Sequence, residues 1–101
     1  MAAVRVVVNF RVKQGKEADL LEGIRAVKKH LDRLGEGLTV VRQVFGPEAG
    51  NIVAVGQCSG WDHFARVQSD PEFTKLLQGM RSDTNPPWEV IIASVSEEVA
   101  L

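Results

Sequence analysis

Two hydrophobic periodicities alternate along the first half of the chain. Residues from Val4 to Lys13 alternate with a period of two and are rich in β-branched side chains, which predicts a first strand. After a break at Gln14-Gly15-Lys16, apolar residues recur every three or four positions, which predicts a helix from about Glu17 to Leu34. The apolar stripe of this helix is expected to comprise Leu21, Ile24, Val27, Leu31 and Leu34. Gly35 predicts its C-terminal end.

The second half begins with a predicted β-hairpin. Its strands run from Leu38 to Phe45 and from Ile52 to Cys58, with turn residues between them. Ser59 with Asp62 three positions later is typical of a helix N-cap, so a helix is expected to open around Trp61. Asp70-Pro71 predicts a second helical segment, because Asp is a good cap and Pro is favoured at the first helical position.

A loop from Ser82 to Pro87 and a last strand from Trp88 to Val95 complete the predicted order βαββαβ within a single domain of 101 residues. With right-handed crossovers, this order gives an α+β, ferredoxin-like fold. Its four-stranded antiparallel sheet carries the helices on one face.

The strand patterns predict that both faces of the sheet are covered. On the first strand the row from Val4 to Val12 is apolar and belongs under the helices, which leaves Arg5, Val7, Asn9 and Arg11 on the open side. The rows of the third and last strands are not cleanly polar on either face. The opposed rows are Val53, Val55 and Gln57 against Ile52, Ala54, Gly56 and Cys58, and Ile91, Ala93 and Val95 against Trp88, Val90 and Ile92. Because a solvated sheet face is normally polar, we expect a homodimer that packs sheet against sheet; the alternative is a monomer with a tolerant open face.

Composition and charge limit the kinds of partner that the chain is expected to bind. The chain has 12 Lys and Arg against 13 Asp and Glu, a formal net charge of -1, so neither nucleic acid nor an anionic membrane is an expected partner. Cys58 is the only cysteine, which excludes an internal disulfide, predicts no metal site and fits a cytoplasmic location. The N-terminal residues lack a signal-peptide pattern, and no apolar stretch is long enough to span a membrane.

Three short segments resemble the dimeric α/β-barrel superfamily, in particular its NIPSNAP-like and antibiotic-biosynthesis-monooxygenase-like branches. They are residues 12–16 (VKQGK), the hairpin at 45–53 (FGPEAGNIV) and the helical segment at 69–73 (SDPEF). The resemblance implies the ferredoxin-like fold and a homodimer. It leaves function open, because the superfamily contains cofactor-free oxygenases, haem-degrading enzymes, isomerases, dehydratases and ligand-binding modules.

The same resemblance disfavours a haem-degrading activity. The roles that haem-degrading members give to an Asn, a Trp and a His fall on Val8, Arg66 and Leu77 of this chain. Asn9 lies one residue out of step, which turns it toward the opposite face of the strand. No cofactor is therefore expected.

The candidate ligand-binding residues are polar side chains within strands and aromatic side chains near the helices. The polar ones, able to hold a carboxylate or enolate, are Asn9, Arg11, Arg42 and Gln57. The alternative is that Arg5 or Arg11 pairs with Glu89. The aromatic residues that could line an apolar cleft, or equally belong to the core, are Trp61, Phe64, Phe73 and Trp88.

The two histidines and the cysteine are weaker candidates for functional residues. His63 is a candidate base or ligand contact at a pocket rim, with a simple surface or rim position as the alternative. His30 is expected to be a solvated partner of the helix dipole. Cys58 lies in the pattern G-x-C-x-G, superficially a nucleophile elbow, but a small buried thiol is the simpler interpretation.

Three functional hypotheses follow. The first is a module that binds a small apolar or aromatic molecule between the helix layer and the sheet. The second is a cofactor-independent monooxygenase acting on an aromatic or polyketide-like substrate, with substrate enolate supplying the electrons. The third is a structural or regulatory dimer with a filled core.

Overall fold

The observed elements follow the predicted order, and the second helical region consists of two segments, as predicted. A computed structural model describes residues 2–81 and 87–101, so the predicted loop from Ser82 lies outside the described residues except for Pro87. The elements are β1 (Val4–Val12), α1 (Glu17–Arg33), β2 (Gly37–Arg42), β3 (Ile52–Cys58), α2 (Trp61–Gln68), α3 (Pro71–Arg81) and β4 (Trp88–Glu97).

The strands form one antiparallel sheet in the order β2-β3-β1-β4. β1 is central and pairs with β3 from Val4 opposite Cys58 to Phe10 opposite Ile52. These four residues are buried on the face that the helices cover. The predicted α+β, ferredoxin-like architecture with a four-stranded antiparallel sheet is confirmed.

The helix layer buries two adjoining hydrophobic clusters against this face. One is built around Val4, Val27 and Cys58, and the other around Phe10, Leu20 and Ile52; Leu38 and Met80 pack against both. The buried residues of α1 are Leu20, Ile24, Val27, His30 and Leu31. The predicted stripe omitted Leu20, which is fully buried, whereas the predicted Leu21 is half-buried and packs against the second cluster.

The end of α1 confirms the stop predicted at Gly35. This glycine has φ +81°, and its N–H donates to the carbonyl oxygen of Asp32 at 3.2 Å. The N–H of Glu36 donates to the carbonyl oxygen of Leu31 at 3.0 Å. These two bonds make a Schellman motif, whose left-handed position favours glycine.

β2 ends at Arg42, three residues earlier than predicted. The N–H of Gln43 donates to the carbonyl oxygen of Asn51 at 2.9 Å, and the N–H of Gly50 donates to the carbonyl oxygen of Gln43 at 2.7 Å. Because these bonds close the hairpin at Gln43, Val44 and Phe45 lie in the loop. Their side chains are 82% and 89% exposed.

The pairing of β1 with β4 contains a bulge that changes the predicted faces. Asn9 lies opposite Ile92 and Phe10 opposite Val90, so Ile91 is an extra residue on β4. Val90 thus shares the helix-covered side with Ala93, while Ile92 faces the open side. The predicted β4 rows were wrong across this point, because a bulge shifts the alternation by one residue.

The opposite side of the sheet, the open face, carries two neighbouring rows of residues that are mainly apolar. By strand register the first row is Val41, Val53, Asn9 and Ile92, and the second is Thr39, Val55, Val7 and Ser94. Polar side chains flank them at both ends, with Arg5, Gln57 and Ser96 at one end and Arg11 and Glu89 at the other. Val41 and Ile92 are 48% and 55% exposed. Within residues 2–81 and 87–101, no helix has the length and apolar character that crossing a membrane requires.

Candidate ligand-binding site

The larger cavity lies where the end of β1 and the start of β4 meet α3. Its volume is about 610 Å³. Among the described residues, its lining is Arg11, Val12, Lys13, Met80, Trp88, Glu89 and Val90. Val12, Trp88 and Val90 belong to the helix-covered side of the sheet, whereas Arg11 and Glu89 belong to the opposite side, so the cavity extends around this end of the sheet. It includes Arg11 and Trp88 from the predicted ligand residues.

The strand register explains why apolar side chains meet here. Trp88 lies opposite Val12, and Val90 opposite Phe10, so these residues share the side of the sheet that the helices cover. Met80, near the end of α3, is half-buried and contacts both hydrophobic clusters. The bulge at Ile91 allows Val90 and Ala93 to lie on this same side.

Charged residues stand beside this apolar wall. Arg11 lies opposite Glu89 in the sheet, and one guanidinium nitrogen is 3.7 Å from a carboxylate oxygen of Glu89. The two side chains are 60% and 69% exposed. The predicted alternative, in which Arg11 pairs with Glu89, is thus present within one chain, although the pair is exposed rather than buried.

Asn9 belongs to a separate network on the open face. Its side-chain oxygen accepts a hydrogen bond from the amide of Asn51 at 3.0 Å, and the same amide donates to Glu48 at 2.7 Å. Asn51 is buried. Asn9 therefore serves to hold the hairpin loop against β1, and its role toward a ligand stays a prediction.

The other two predicted polar residues lie away from the larger cavity. Arg42 forms a bidentate ion pair with Glu17 at the start of α1, and this hydrogen bonding lowers the pKa of the Glu17 carboxyl. Gln57 lines a smaller cavity of about 80 Å³, next to Arg5 and Glu97. Ligand contact by Arg42 or Gln57 also stays a prediction.

Trp61 and Phe64 form a contact of their own at the start of α2. Their ring centroids are 5.6 Å apart and the rings are nearly perpendicular. The indole N–H of Trp61 donates to Glu97 at 2.8 Å, which ties α2 to the end of β4. Phe64 packs against the hydrophobic core and is not among the lining residues of either cavity. Phe73 is buried in the core as well.

His63 is buried, so the expected surface or rim position was wrong. Its Nδ1 accepts a hydrogen bond from the backbone N–H of Ser59 at 3.0 Å, and its Nε2 lies 2.7 Å from the carbonyl oxygen of Leu34. The acceptor role of Nδ1 requires the proton on Nε2. The N-cap of α2 is Gly60, without a side-chain hydrogen bond. The N-cap expected at Ser59 was therefore wrong, and the bond from the Ser59 N–H to His63 instead holds the segment before α2 against its first turn.

His30 is also buried, in contrast to the expected solvated position. Its Nε2 lies 2.7 Å from a carboxylate oxygen of Asp70, and its Nδ1 is 3.7 Å from Glu72. Asp70 accepts the backbone N–H of Phe73 at 2.9 Å, as expected of an N-cap. That bond first, and His30 second, lower the pKa of the Asp70 carboxyl. His30 thus connects α1 to the beginning of α3.

A buried carboxyl group that the sequence interpretation missed lies beside Cys58. Burial raises the pKa of Glu36, which receives a hydrogen bond from the Cys58 thiol. Burial and then the Glu36 carboxyl raise the pKa of this thiol to about 11. Such a thiol is almost entirely protonated at neutral pH, which opposes the nucleophile-elbow interpretation.

Five lining residues of the larger cavity were not predicted as ligand residues: Val12, Lys13, Met80, Glu89 and Val90. Val12 and Val90 were hidden because apolar strand residues normally indicate core. Met80 lies in the segment predicted as the last helix, where an apolar residue normally belongs to the core, and only the position of α3 shows that its side chain reaches a cavity. Within the part of the chain that is described, no group of three or more His, Cys, Asp or Glu side chains is placed to hold a metal ion.

Sequence comparison gives limited similarity. No protein-family model matches the chain. A curated protein, the phosphopantetheine adenylyltransferase of Rhodopseudomonas palustris (strain BisA53), is 30% identical over 79 residues. The match covers 77% of this chain and 48% of that protein, so the chain spans about half the length of the curated relative it matches.

Comparison of folds gives similarity along nearly the whole chain. SnoaB, a cofactor-independent oxygenase from Streptomyces nogalater, has a TM-score of 0.71 and 16% identity, covering 100% of this chain and 95% of its own. A candidate antibiotic biosynthesis monooxygenase from Bordetella bronchiseptica has a TM-score of 0.69 and 15% identity, covering 100% and 99%. A NIPSNAP family protein with unknown function from Agrobacterium tumefaciens has a TM-score of 0.58 and 20% identity, covering 96% and 86%. The fold is therefore the one shared by antibiotic-biosynthesis-monooxygenase-like and NIPSNAP proteins.

Proposed function

We propose that this protein binds a small apolar or aromatic molecule in the larger cavity. The observation that carries the proposal is the cavity itself, whose volume of about 610 Å³ falls in the range of roughly 300–1,000 Å³ typical of small-molecule sites. Val12, Met80, Trp88 and Val90 give it an apolar lining, and the indole of Trp88 offers a flat surface for an aromatic ring. The fold shared with SnoaB, a cofactor-independent oxygenase, supports the same proposal.

A binding screen with matched variants tests this proposal. Polycyclic aromatic compounds that bind are expected to raise the melting temperature, because a ligand of the folded state stabilises it. Trp88→Leu is expected to weaken binding by about fivefold, since it removes an aromatic contact worth on the order of 1 kcal/mol beyond its area. Trp61→Leu is the control, because Trp61 is not among the lining residues. Equal losses in the two variants, or no binding by any compound, would contradict the proposal.

We further propose that two copies associate through the open face. The apolar centre with polar ends has the anatomy of a protein interface. Four strands about 4.8 Å apart and some seven residues long give a projected face on the order of 450 Å², whereas a stable interface buries about 800 Å² per partner. The loop that follows β2 exposes two further apolar side chains, Val44 and Phe45, whose burial in the dimer would supply part of the difference.

Light scattering after size-exclusion chromatography tests the dimer. The intact protein is expected to have twice the mass of one chain at micromolar concentration. Ile92→Lys places a charge on the open face and is expected to give monomers, because burying an unpaired ammonium is unfavourable. Val99→Lys adds the same charge at an exposed position beyond β4 and is expected to leave the dimer intact. A monomeric intact protein would contradict the proposal.

A cofactor-independent monooxygenase is the second candidate, supported by the fold similarity to SnoaB. In such a reaction a ring methylene would become a carbonyl, with one atom of O₂ entering the product and the other leaving as water. The substrate itself supplies the four electrons. Oxygen uptake and one carbonyl product per O₂ are expected with hydroxylated polycyclic aromatics that bind. Binding without oxygen uptake would leave the binding module as the function.

Two further points concern the structural-dimer hypothesis and the cellular location. The larger cavity favours a binding function over a filled structural core. The match to the adenylyltransferase covers only 48% of that protein, which is too little to support the same activity in this chain. A cytoplasmic location is part of the proposal and is supported by the free thiol of Cys58.

A further inference from the structure

The larger cavity has an apolar wall and a charged margin, the latter formed by Arg11, Lys13 and Glu89. Val12 contributes to the apolar wall. The side chains of its neighbours Arg11 and Lys13 point to the opposite face of the sheet, because successive residues of a strand alternate between the two faces. Glu89 lies across from Arg11 at the start of β4. Among the described lining residues, Arg11 and Lys13 are basic and Glu89 is acidic.

The partner of Arg11 within the chain holds it weakly. The nitrogen-to-oxygen distance of 3.7 Å to Glu89 exceeds the roughly 2.7–3.2 Å of a hydrogen bond. Both side chains are more than half exposed, so water screens the attraction. The planar guanidinium fork of Arg11 is thus available to a carboxylate that approaches with better geometry.

We propose that the ligand of this cavity is an aromatic molecule that carries a carboxylate, and that Arg11 is the residue that selects it. The aromatic part lies against Trp88 and Met80, and the carboxylate replaces Glu89 as the partner of Arg11. Glu89 opposes binding, because its own carboxylate competes for Arg11 and repels the ligand anion. This inference rests on the proposed ligand-binding function and adds the charge of the ligand to it.

A matched pair of probes tests the inference. 2-Naphthoate carries the carboxylate, and 2-naphthalenemethanol has the same ring system without the charge. Calorimetric titration at low salt is expected to show about tenfold tighter binding of naphthoate, the effect typical of one hydrogen-bonded charge. Raising the NaCl concentration to 0.5 M is expected to remove most of this difference, because salt screens exposed charges.

Variants assign the effect to the two side chains. Arg11→Gln is expected to abolish the preference for naphthoate and to leave the affinity for naphthalenemethanol unchanged. Glu89→Gln is expected to increase naphthoate affinity by roughly threefold, since the competing charge is lost. The controls are Arg25→Gln and Glu22→Gln, which change the net charge equally at exposed positions of α1. Light scattering and melting temperature verify that each variant keeps its assembly and fold.

The outcomes separate this inference from the proposal on which it rests. Equal binding of the two probes, or the same response in Arg11→Gln and Arg25→Gln, would overturn the carboxylate inference while the cavity remains a binding site. Failure of both probes to bind would contradict the cavity function and the inference together. A preference for naphthoate that Arg11→Gln abolishes would support both.

Discussion

The Nε2 atom of His63 donates a hydrogen bond to the backbone carbonyl oxygen of Leu34 at 2.7 Å. Leu34 is the C-cap of α1, and His63 lies in the first turn of α2. Since Nδ1 accepts the N–H of Ser59 at the same time, both ring nitrogens are occupied by the backbone. The imidazole is therefore a connection between two helices rather than a base exposed to substrate.

Replacement of His63 is expected to affect stability rather than ligand affinity. His63→Ala removes two hydrogen bonds and leaves a cavity, for an expected loss of about 2–4 kcal/mol in the free energy of unfolding. Chemical denaturation measures this loss, and Asp62→Ala, at the exposed neighbouring position, is the control. Ligand affinity of the folded variant is expected to match that of the unmodified protein. A stable variant with much weaker binding would show that His63 acts on the ligand after all.

Glu36 makes stability depend on pH. Because burial raises the pKa of the Glu36 carboxyl above its ordinary value of 4.5, the neutral acid is favoured in the folded protein. Stability is then fully present below pH 4.5 and decreases as the pH rises through the higher pKa of the folded state. Glu36→Gln is expected to match the unmodified protein at pH 4 and to be more stable at pH 8, by about 1.4 kcal/mol for each unit of the pKa increase.

Urea denaturation across this pH range provides the measurement for Glu36. The exposed Glu22→Gln substitution is the control for the loss of one carboxylate. A stability difference between Glu36→Gln and the unmodified protein that stays constant from pH 4 to pH 8 would contradict the account.

The Glu36 carboxyl lies close to the backbone of Gly56, and Gly56→Ala tests this close packing. A Cβ atom at this position would lie 2.5 Å from Oε1 of Glu36. The substitution is expected to destabilise the protein by about 1–3 kcal/mol.

The thiol of Cys58 is expected to be unreactive in the folded protein. It is buried, and its pKa is raised to about 11, so little thiolate is present at pH 7.5. Labelling with a thiol-specific reagent should therefore proceed at the rate of unfolding and become complete in denaturant. Rapid labelling of the native protein would instead indicate an accessible thiolate and would reopen the nucleophile interpretation.

The elements and their order were predictable because each rests on local pattern. Alternation of Val and Phe specifies β1, and Asp70-Pro71 specifies the start of α3, as the hydrogen bond from Phe73 to Asp70 confirms. The ends of elements were less predictable where long-range bonds decide them. Val44 and Phe45 have strand-forming side chains, yet the bonds between Gln43 and the segment at Gly50-Asn51 close the hairpin before them.

The cavity and the buried polar residues depend on relationships that no single segment contains. The bulge at Ile91 is visible only in the pairing of β4 with β1, and it decides which side Val90 and Ile92 occupy. His30 and Asp70 are 40 positions apart, and their contact requires the packing of α1 on α3. Arg11 and Trp88 were recognisable as candidates, since a basic and an aromatic residue in strands suggest a binding surface.

Met80 provides the most direct test of the proposed site. The chain has two methionines, Met1 and Met80, and Met80 lines the larger cavity. With ¹³C-methyl-labelled methionine, titration with a binding aromatic compound is expected to shift one methyl signal saturably, and the same signal should be absent from the spectrum of Met80→Leu. Saturable binding measured by calorimetry that leaves the Met80 methyl signal unchanged would contradict the placement of the ligand between α3 and the β1–β4 end of the sheet.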